Sequence, residues 1–152
     1  MLIRRDRGML AVAVMLDVAF HGGRTATVSA AEIADRLGLA RRGMEPLLQA
    51  LSRGGLLESV RGPRGGYRLA RERRRISVGE IVRVVQALEA GEEEVEELPT
   101  SDLGRRVIRP MWGALQDDIM KRLDAITVDE LCLNAHHSGI VSEVVEKMDF
   151  AI

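Results

Sequence analysis

The sequence predicts a mainly α-helical fold with a small β-hairpin and one long helix behind it, on three observations. Aromatic residues are only 3% of the 152, so the 46% apolar content rests on Leu, Val, Ile, Ala and seven Met, which favour helices over strands. Apolar residues recur at three- and four-residue spacing through most of the chain. That rhythm breaks once, in a glycine-rich stretch between residues 54 and 70 that holds two short β-like runs. At this length one compact domain plus an appendage is expected.

Met9, Val12, Ala13, Leu16, Ala19 and Phe20 form the stripe of a first helix over Arg7 to Phe20, stopped by His21-Gly22-Gly23. Ser29 with Glu32 makes a capping box, and Val28 with Ile33 a hydrophobic staple, so a short helix should run from about Ala30 to Leu37 and end at Gly38. Met44, Leu47, Leu48 and Leu51 are the stripe of a third helix that ends at Gly54-Gly55. Pro46 suits only a first turn, so the regular part is expected to begin between Arg42 and Glu45. Arg41 and Arg42 then stand near a helix N-terminus, where the backbone dipole and their own charge favour phosphate. Leu56 to Val60 reads as a strand, Arg61-Gly62-Pro63-Arg64-Gly65-Gly66 as a turn, and Tyr67 to Ala70 as the returning strand.

Three helices followed by a basic, glycine-rich hairpin is the order of a winged helix-turn-helix. Each piece alone has a plainer meaning, since short helices make cores and a basic hairpin can lack a ligand. Their order and spacing, with Arg61 and Arg64 at the hairpin tip, favour DNA binding. Beyond the wing, Ser77 with Glu80 caps a fourth helix carrying Ile81, Val82, Val84, Val85 and Leu88. Residues 92–97, Glu-Glu-Glu-Val-Glu-Glu, read as an acidic linker. A long helix is expected from Asp102 to Ile126, interrupted near its start by Pro110, and Thr127 caps a last short helix through Leu133.

The expected organisation is a winged helix-turn-helix domain at 1–88, an acidic linker at 89–101, a dimerisation helix and short C-terminal helix at 102–135, and a tail at 136–152. Val107, Ile108, Met111, Trp112, Leu115, Ile119 and Leu123 mark the apolar side of the long helix. The small front domain cannot cover so long a stripe, so pairing with the same helix of a second chain is expected, with packing back on its own domain as the alternative.

The net charge of −1 hides a division at residue 75: 15 basic and 7 acidic residues lie up to Arg75, and 7 basic and 16 acidic from Ile76 onward. Phosphate binding is driven by positive charge and counterion release, so the front suits a nucleic acid and the rear another task. No run approaches the roughly 20 apolar residues of a spanning helix, and the basic start leads into an amphipathic stretch without a small-residue cleavage site, so the protein is expected in the cytoplasm. The single cysteine, Cys132, excludes an internal disulfide framework and any site built from several thiolates of one chain. No Ser-His-Asp set, Walker loop or HExxH pattern points to an enzyme.

These residues resemble the Rrf-type family of winged-helix regulators, which includes an iron–sulphur cluster regulator and nitric-oxide-responsive repressors. The resemblance runs from Met1 to about Leu133, and its most specific part is the wing, Ser59-Val60-Arg61-Gly62-Pro63-Arg64-Gly65-Gly66-Tyr67-Arg68-Leu69-Ala70. Ala31-Glu32-Ile33-Ala34 with Leu37-Gly38, Met44-Glu45 with Leu47-Leu48, Ile76 to Ile81, and Leu123 to Val128 support it. It implies a homodimer whose third helices enter successive major grooves, with Arg61 in the minor groove. Glu45 matches the recognition-helix glutamate that accepts from cytosine N4, although stabilising its own helix dipole would account for it equally. Arg41, Arg42 and Arg64 are the phosphate candidates, assisted by Arg4, Arg5, Ser29 and the backbone of Gly62 and Gly65.

The chain departs from the family in two places. Gly43 stands where many relatives carry an aromatic residue. Many relatives also hold an iron–sulphur cluster with three cysteines ahead of the long helix, and here Glu89 to Arg105 contains none, so no cluster is expected. Cys132 and His136 are four apart on one helix and two chains together could form a metal site, but a lone cysteine on an apolar helix is more often a small buried hydrophobe, and no metal is assigned. No basic cluster nearby in sequence lowers the Cys132 pKa, which speaks against a redox thiol. The expectation is a dimeric, sequence-specific regulator of transcription, a repressor acting on double-stranded DNA at a pseudo-palindromic operator, with room for a small-molecule effector. The rival is a winged-helix module that binds a protein, against which the basic front speaks.

Overall fold

The structure, a computed structural model, describes residues 5–90 and 100–144, with the side chains of its opening helix from Arg7 onward. Arg4 and the acidic run 92–97 lie outside the described residues, and the expected contribution of Arg5 rests on a side chain outside them.

Helix α1, Arg5–Gly22, is the central element and packs against helices on several sides. Its buried face is Ala11, Val14, Met15, Val18 and Ala19, each at most 2% exposed, while Met9 is 63% exposed. The expected stripe is therefore rotated: a helix apolar nearly all round carries too little contrast for periodicity to choose its inner face. Helix α2, Ala30–Leu37, has both bonds of its capping box, Glu32 N–H to Ser29 Oγ at 3.1 Å and Ser29 N–H to Glu32 Oε2 at 2.8 Å. It stops at Gly38, whose φ of 66° is left-handed and open to glycine at no cost.

Helix α3, Arg41–Arg53, starts earlier than Pro46 suggested and carries that proline in its second turn. Pro46 and Arg42 are both exposed, so water can serve the Arg42 carbonyl that the ring leaves without a helical donor. Met44, Leu47, Leu48 and Leu51 are buried as the spacing required. Strands β1, Leu57–Val60, and β2, Gly66–Leu69, pair antiparallel from Leu57 opposite Leu69 to Val60 opposite Gly66, one residue later and one earlier than expected. Val28 pairs with Tyr67 on the outer edge of β2, so the chain entering α2 becomes a third, one-residue strand.

A 3₁₀ turn at Arg73–Arg75 leads to α4, Val78–Ala90, whose capping box is again complete, with Glu80 N–H to Ser77 Oγ at 3.1 Å and Ser77 N–H to Glu80 Oε2 at 3.0 Å. The long helix is wound as a π-helix over Gly104–Ile108 and as α5 over Arg109–Asp124. Arg109 N–H bonds to the Gly104 carbonyl, five residues back, immediately before Pro110. The wider turn absorbs the donor that Pro110 lacks, which is why the interruption inferred from Pro110 is a bulge and not a break. Thr127 caps α6, Val128–His137, a turn longer than its sequence signal, through Glu130 N–H to Thr127 Oγ1 at 3.2 Å.

Val128 and Cys132 bring α6 into the same core as α1, α3 and α4. Val78 N–H to Ile126 carbonyl (2.8 Å) and Val128 N–H to Ile76 carbonyl (2.9 Å) stitch the start of α4 to the junction between α5 and α6. Gly79 sits against Asp124 where a Cβ would collide with its carboxylate and backbone. The chain therefore returns on itself after α5, and only the amino-terminal part of that helix stands away. Val107, Ile108, Met111, Trp112 and Leu115 are 42–56% exposed, whereas Ile119 and Leu123 are half-buried. The expected single stripe thus divides, because the end of α5 packs on α4.

Candidate nucleic-acid interface

The interface is built from arginines that the fold leaves without acidic partners. Of the front half's arginines, Arg36 is bridged to Asp17 (2.8 Å) and Glu143 (2.8 Å), Arg68 to Glu58 (2.9 Å), Arg71 to Glu80 (2.8 Å), Arg73 to Asp129 (2.6 Å) and Arg74 to Glu72 (3.1 Å). Among the described residues no carboxylate lies within 4.0 Å of Arg41, Arg42, Arg61 or Arg64, and all four are exposed. Arg24, Arg53 and Arg75 are also exposed and unpaired in the same sense. A charge count treats every arginine of the front alike; Glu72 lies two residues from Arg74, but Asp17, Glu143 and Asp129 come from distant elements and leave no local signal.

Arg41 and Arg42 occupy the first turn of α3, where Ala40 at the N-cap supplies no side-chain hydrogen bond. Positive side chains and uncapped N–H groups thus coincide at one helix end. Glu45 is exposed in the second turn of α3 and Ser29 half-buried ahead of α2. The Ser29 oxygen accepts the capping bond, a role that does not use its hydroxyl proton.

The wing tip is tightly turned. Gly65 N–H bonds to the Gly62 carbonyl at 2.8 Å, and Gly62 has a φ of 115°, which an L side chain resists. A Cβ on Gly65 would run into the Val60 carbonyl, so both glycines serve the shape of the loop, and the Gly65 amide is already committed within it. Lower in the hairpin, Glu58 faces Arg68 across the ladder, and that bonded guanidinium holds the Glu58 carboxyl below its ordinary range. Charge in the hairpin body is thereby neutralised, and the net positive charge is carried by its tip. Thr27 Oγ1 donates to the Arg64 carbonyl at 2.7 Å, a contact between the entry to α2 and the wing that the sequence did not disclose.

Cys132 is 3% exposed in the core. Burial pushes its thiol up, and the nearby Arg73, brought in by the 3₁₀ turn, opposes this without prevailing. No basic cluster lies near Cys132 in sequence, and Arg73 reaches it only through the fold; its effect is smaller than that of burial, so the thiol stays protonated at neutral pH. His136 is exposed while Cys132 is buried, and among the described residues no three His, Cys, Asp or Glu side chains gather as a metal site.

The Rrf2 family, described as "Iron-dependent Transcriptional regulator", matches residues 5–134. The chain belongs to this family. It is 34% identical over 145 residues to the HTH-type transcriptional regulator IscR of Pectobacterium carotovorum, covering 95% of this chain and 85% of that one. It is 33% identical to the regulator of the same name from Vibrio cholerae over 150 residues, covering 95% and 80%. Among solved structures it is similar to T. potens IscR (34% identity, TM-score 0.70, 90% of each chain) and to CymR, the global cysteine regulator of B. subtilis (30% identity, TM-score 0.68, 88% of this chain and 98% of that one). The chain is accordingly a winged-helix, DNA-binding transcriptional regulator and not an enzyme. Iron in the family's description does not fit a thiolate-held cluster here, because the one cysteine of the chain faces the core. No helix among the described residues is long and apolar enough to cross a membrane.

Proposed function

We propose that the protein is a homodimeric, sequence-specific repressor that occupies a pseudo-palindromic operator and works without an iron–sulphur cluster. The observation that carries this proposal is that Arg41 and Arg42 at the start of α3 and Arg61 and Arg64 at the wing tip stand exposed without acidic partners among the described residues, while Arg68, Arg71, Arg73 and Arg74 are neutralised within the fold. Arg41, Arg42 and Arg64, with Ser29, grip phosphates; Arg61 enters the minor groove; Glu45 accepts from a cytosine edge. A carboxylate in the second turn gains little from the helix dipole, which favours the base contact for Glu45.

Two copies pair through Val107, Ile108, Met111, Trp112 and Leu115, large apolar side chains left 42–56% exposed, with Ile119 and Leu123 at the edge of that surface. Pairing there holds two reading heads at a fixed spacing, and an effector that tilts α5 would alter it. The protein acts in the cytoplasm, where the operator is. A gel-shift titration against genomic fragments at physiological salt tests the proposal. Preference for particular fragments by a dimer is the expected result, and equal affinity for every fragment and bulk DNA refutes it.

A further inference from the structure

We propose that Thr27 is a positioning residue that locks the wing onto the helix-turn-helix, so that the wing arginines and α3 engage DNA as one rigid head. A two-stranded hairpin is marginally stable by itself, and β1–β2 has only four residues per strand to hold its tip. Three contacts from the chain entering α2 make up the deficit. Thr27 Oγ1 donates to the Arg64 carbonyl at 2.7 Å. Val28 and Tyr67 exchange both backbone bonds, Val28 N–H to Tyr67 carbonyl at 2.9 Å and Tyr67 N–H to Val28 carbonyl at 2.8 Å. Gly66 lets the two backbones close in, since a Cβ there would lie 2.6 Å from the Val28 carbonyl oxygen.

The Val28 and Gly66 contacts hold the first two residues of β2, where the strand leaves the loop. Among the hydrogen bonds of the described residues, the Thr27 hydroxyl is the one that reaches from outside the hairpin into the loop bearing the arginines, by donating to the carbonyl of Arg64 itself. Two residues further on, Ser29 caps α2, so the same short segment anchors the wing and starts the helix-turn-helix. A loop ordered before binding loses less conformational freedom on the duplex, and that difference appears as affinity. This role rests on the wing arginines contacting DNA, as proposed above.

Thr27→Val keeps the volume and removes the donor, and Thr27→Ser restores it. The probe is the duplex most enriched by the wild-type protein from a randomised pool, with affinity followed by fluorescence anisotropy. Thr27→Val is expected to bind about three- to tenfold more weakly, the effect of losing one net hydrogen bond, and Thr27→Ser within about twofold of wild type. Combined with Arg61→Ala and Arg64→Ala, Thr27→Val should add less than about twofold, because nothing remains for the lock to position. The melting temperature reports folding independently and should fall by no more than about 4 °C. Full additivity, no rescue by serine, or wild-type affinity in Thr27→Val overturns the role of Thr27 while the arginine contacts stand. If the arginine substitutions themselves leave affinity unchanged, the proposed interface and the role of Thr27 fall together.

Discussion

Replacing Asp17 by asparagine should destabilise the protein far more than replacing Glu143 by glutamine, although both carboxylates bind the same guanidinium. Asp17 is the one buried charged residue among the described residues, 7% exposed, and takes two bonds from Arg36, Nε to Oδ1 at 2.9 Å and Nη2 to Oδ2 at 2.8 Å. Glu143 reaches the opposite edge of Arg36 at 2.8 Å, but its side chain is 36% exposed against 6% for Asp17. The bonds that Arg36 donates to Asp17 are the largest influence on its pKa; they outweigh burial and, with a smaller contribution from Glu143, raise it further above an already high ordinary value. Breaking a buried pair by removing one partner costs about 3–5 kcal/mol. Asparagine retains one acceptor and Arg36 keeps Glu143, so about 2–3 kcal/mol is expected for Asp17→Asn. Glu143→Gln should cost less than about 1 kcal/mol, as solvent-screened pairs do. Urea unfolding followed by circular dichroism measures both, and the larger loss corresponds to roughly 5–10 °C in melting temperature. Equal losses, or a larger one for Glu143→Gln, would show that the link between α1 and α2 does not depend on the buried carboxylate.

Met111→Asp with Leu115→Asp should yield monomers in sedimentation velocity and abolish operator binding; a dimer that survives both charges moves the interface elsewhere. Arg42→Ala should weaken binding to all duplexes alike and lower the salt slope by about one, whereas Glu45→Gln should relax preference at one base pair by about 1–3 kcal/mol; an unchanged base preference in Glu45→Gln would remove its base contact. Cys132 should resist a thiol reagent at neutral pH in the folded protein and react once urea unfolds it, because burial keeps the thiol protonated; prompt stoichiometric reaction of the native protein contradicts that. Acid should destabilise the fold through Glu80 and Glu58. Burial pushes the Glu80 carboxyl up, but the bonds from Arg71 and the Ser77 amide together hold it below its ordinary 4.5, and Arg68 does the same for Glu58. The folded carboxyls bind protons less readily than the unfolded ones, so their stabilisation is present above about pH 4.5 and is lost as pH falls further. The urea midpoint should fall less steeply below that pH in Glu80→Gln, and an unchanged slope removes Glu80 from the acid response.

Short-range chemistry in the sequence was enough to determine the helix starts at Ser29 and Ser77, the stop at Gly38, the hairpin and the buried side of α3. A capping box or a left-handed glycine is decided by residues three or four apart, and the hydrogen bonds concerned close within that span. The same physics set the family's wing and placed Arg61 and Arg64 at its tip. Tertiary structure alone decided which arginines remain available, because Arg36 meets Asp17 and Glu143, Arg73 meets Asp129, and Arg83 meets Asp124 only after distant segments return. It also decided the inner face of α1, the division of the α5 stripe and the grip of Thr27 on the wing, since each depends on what packs opposite and not on the local order of residues.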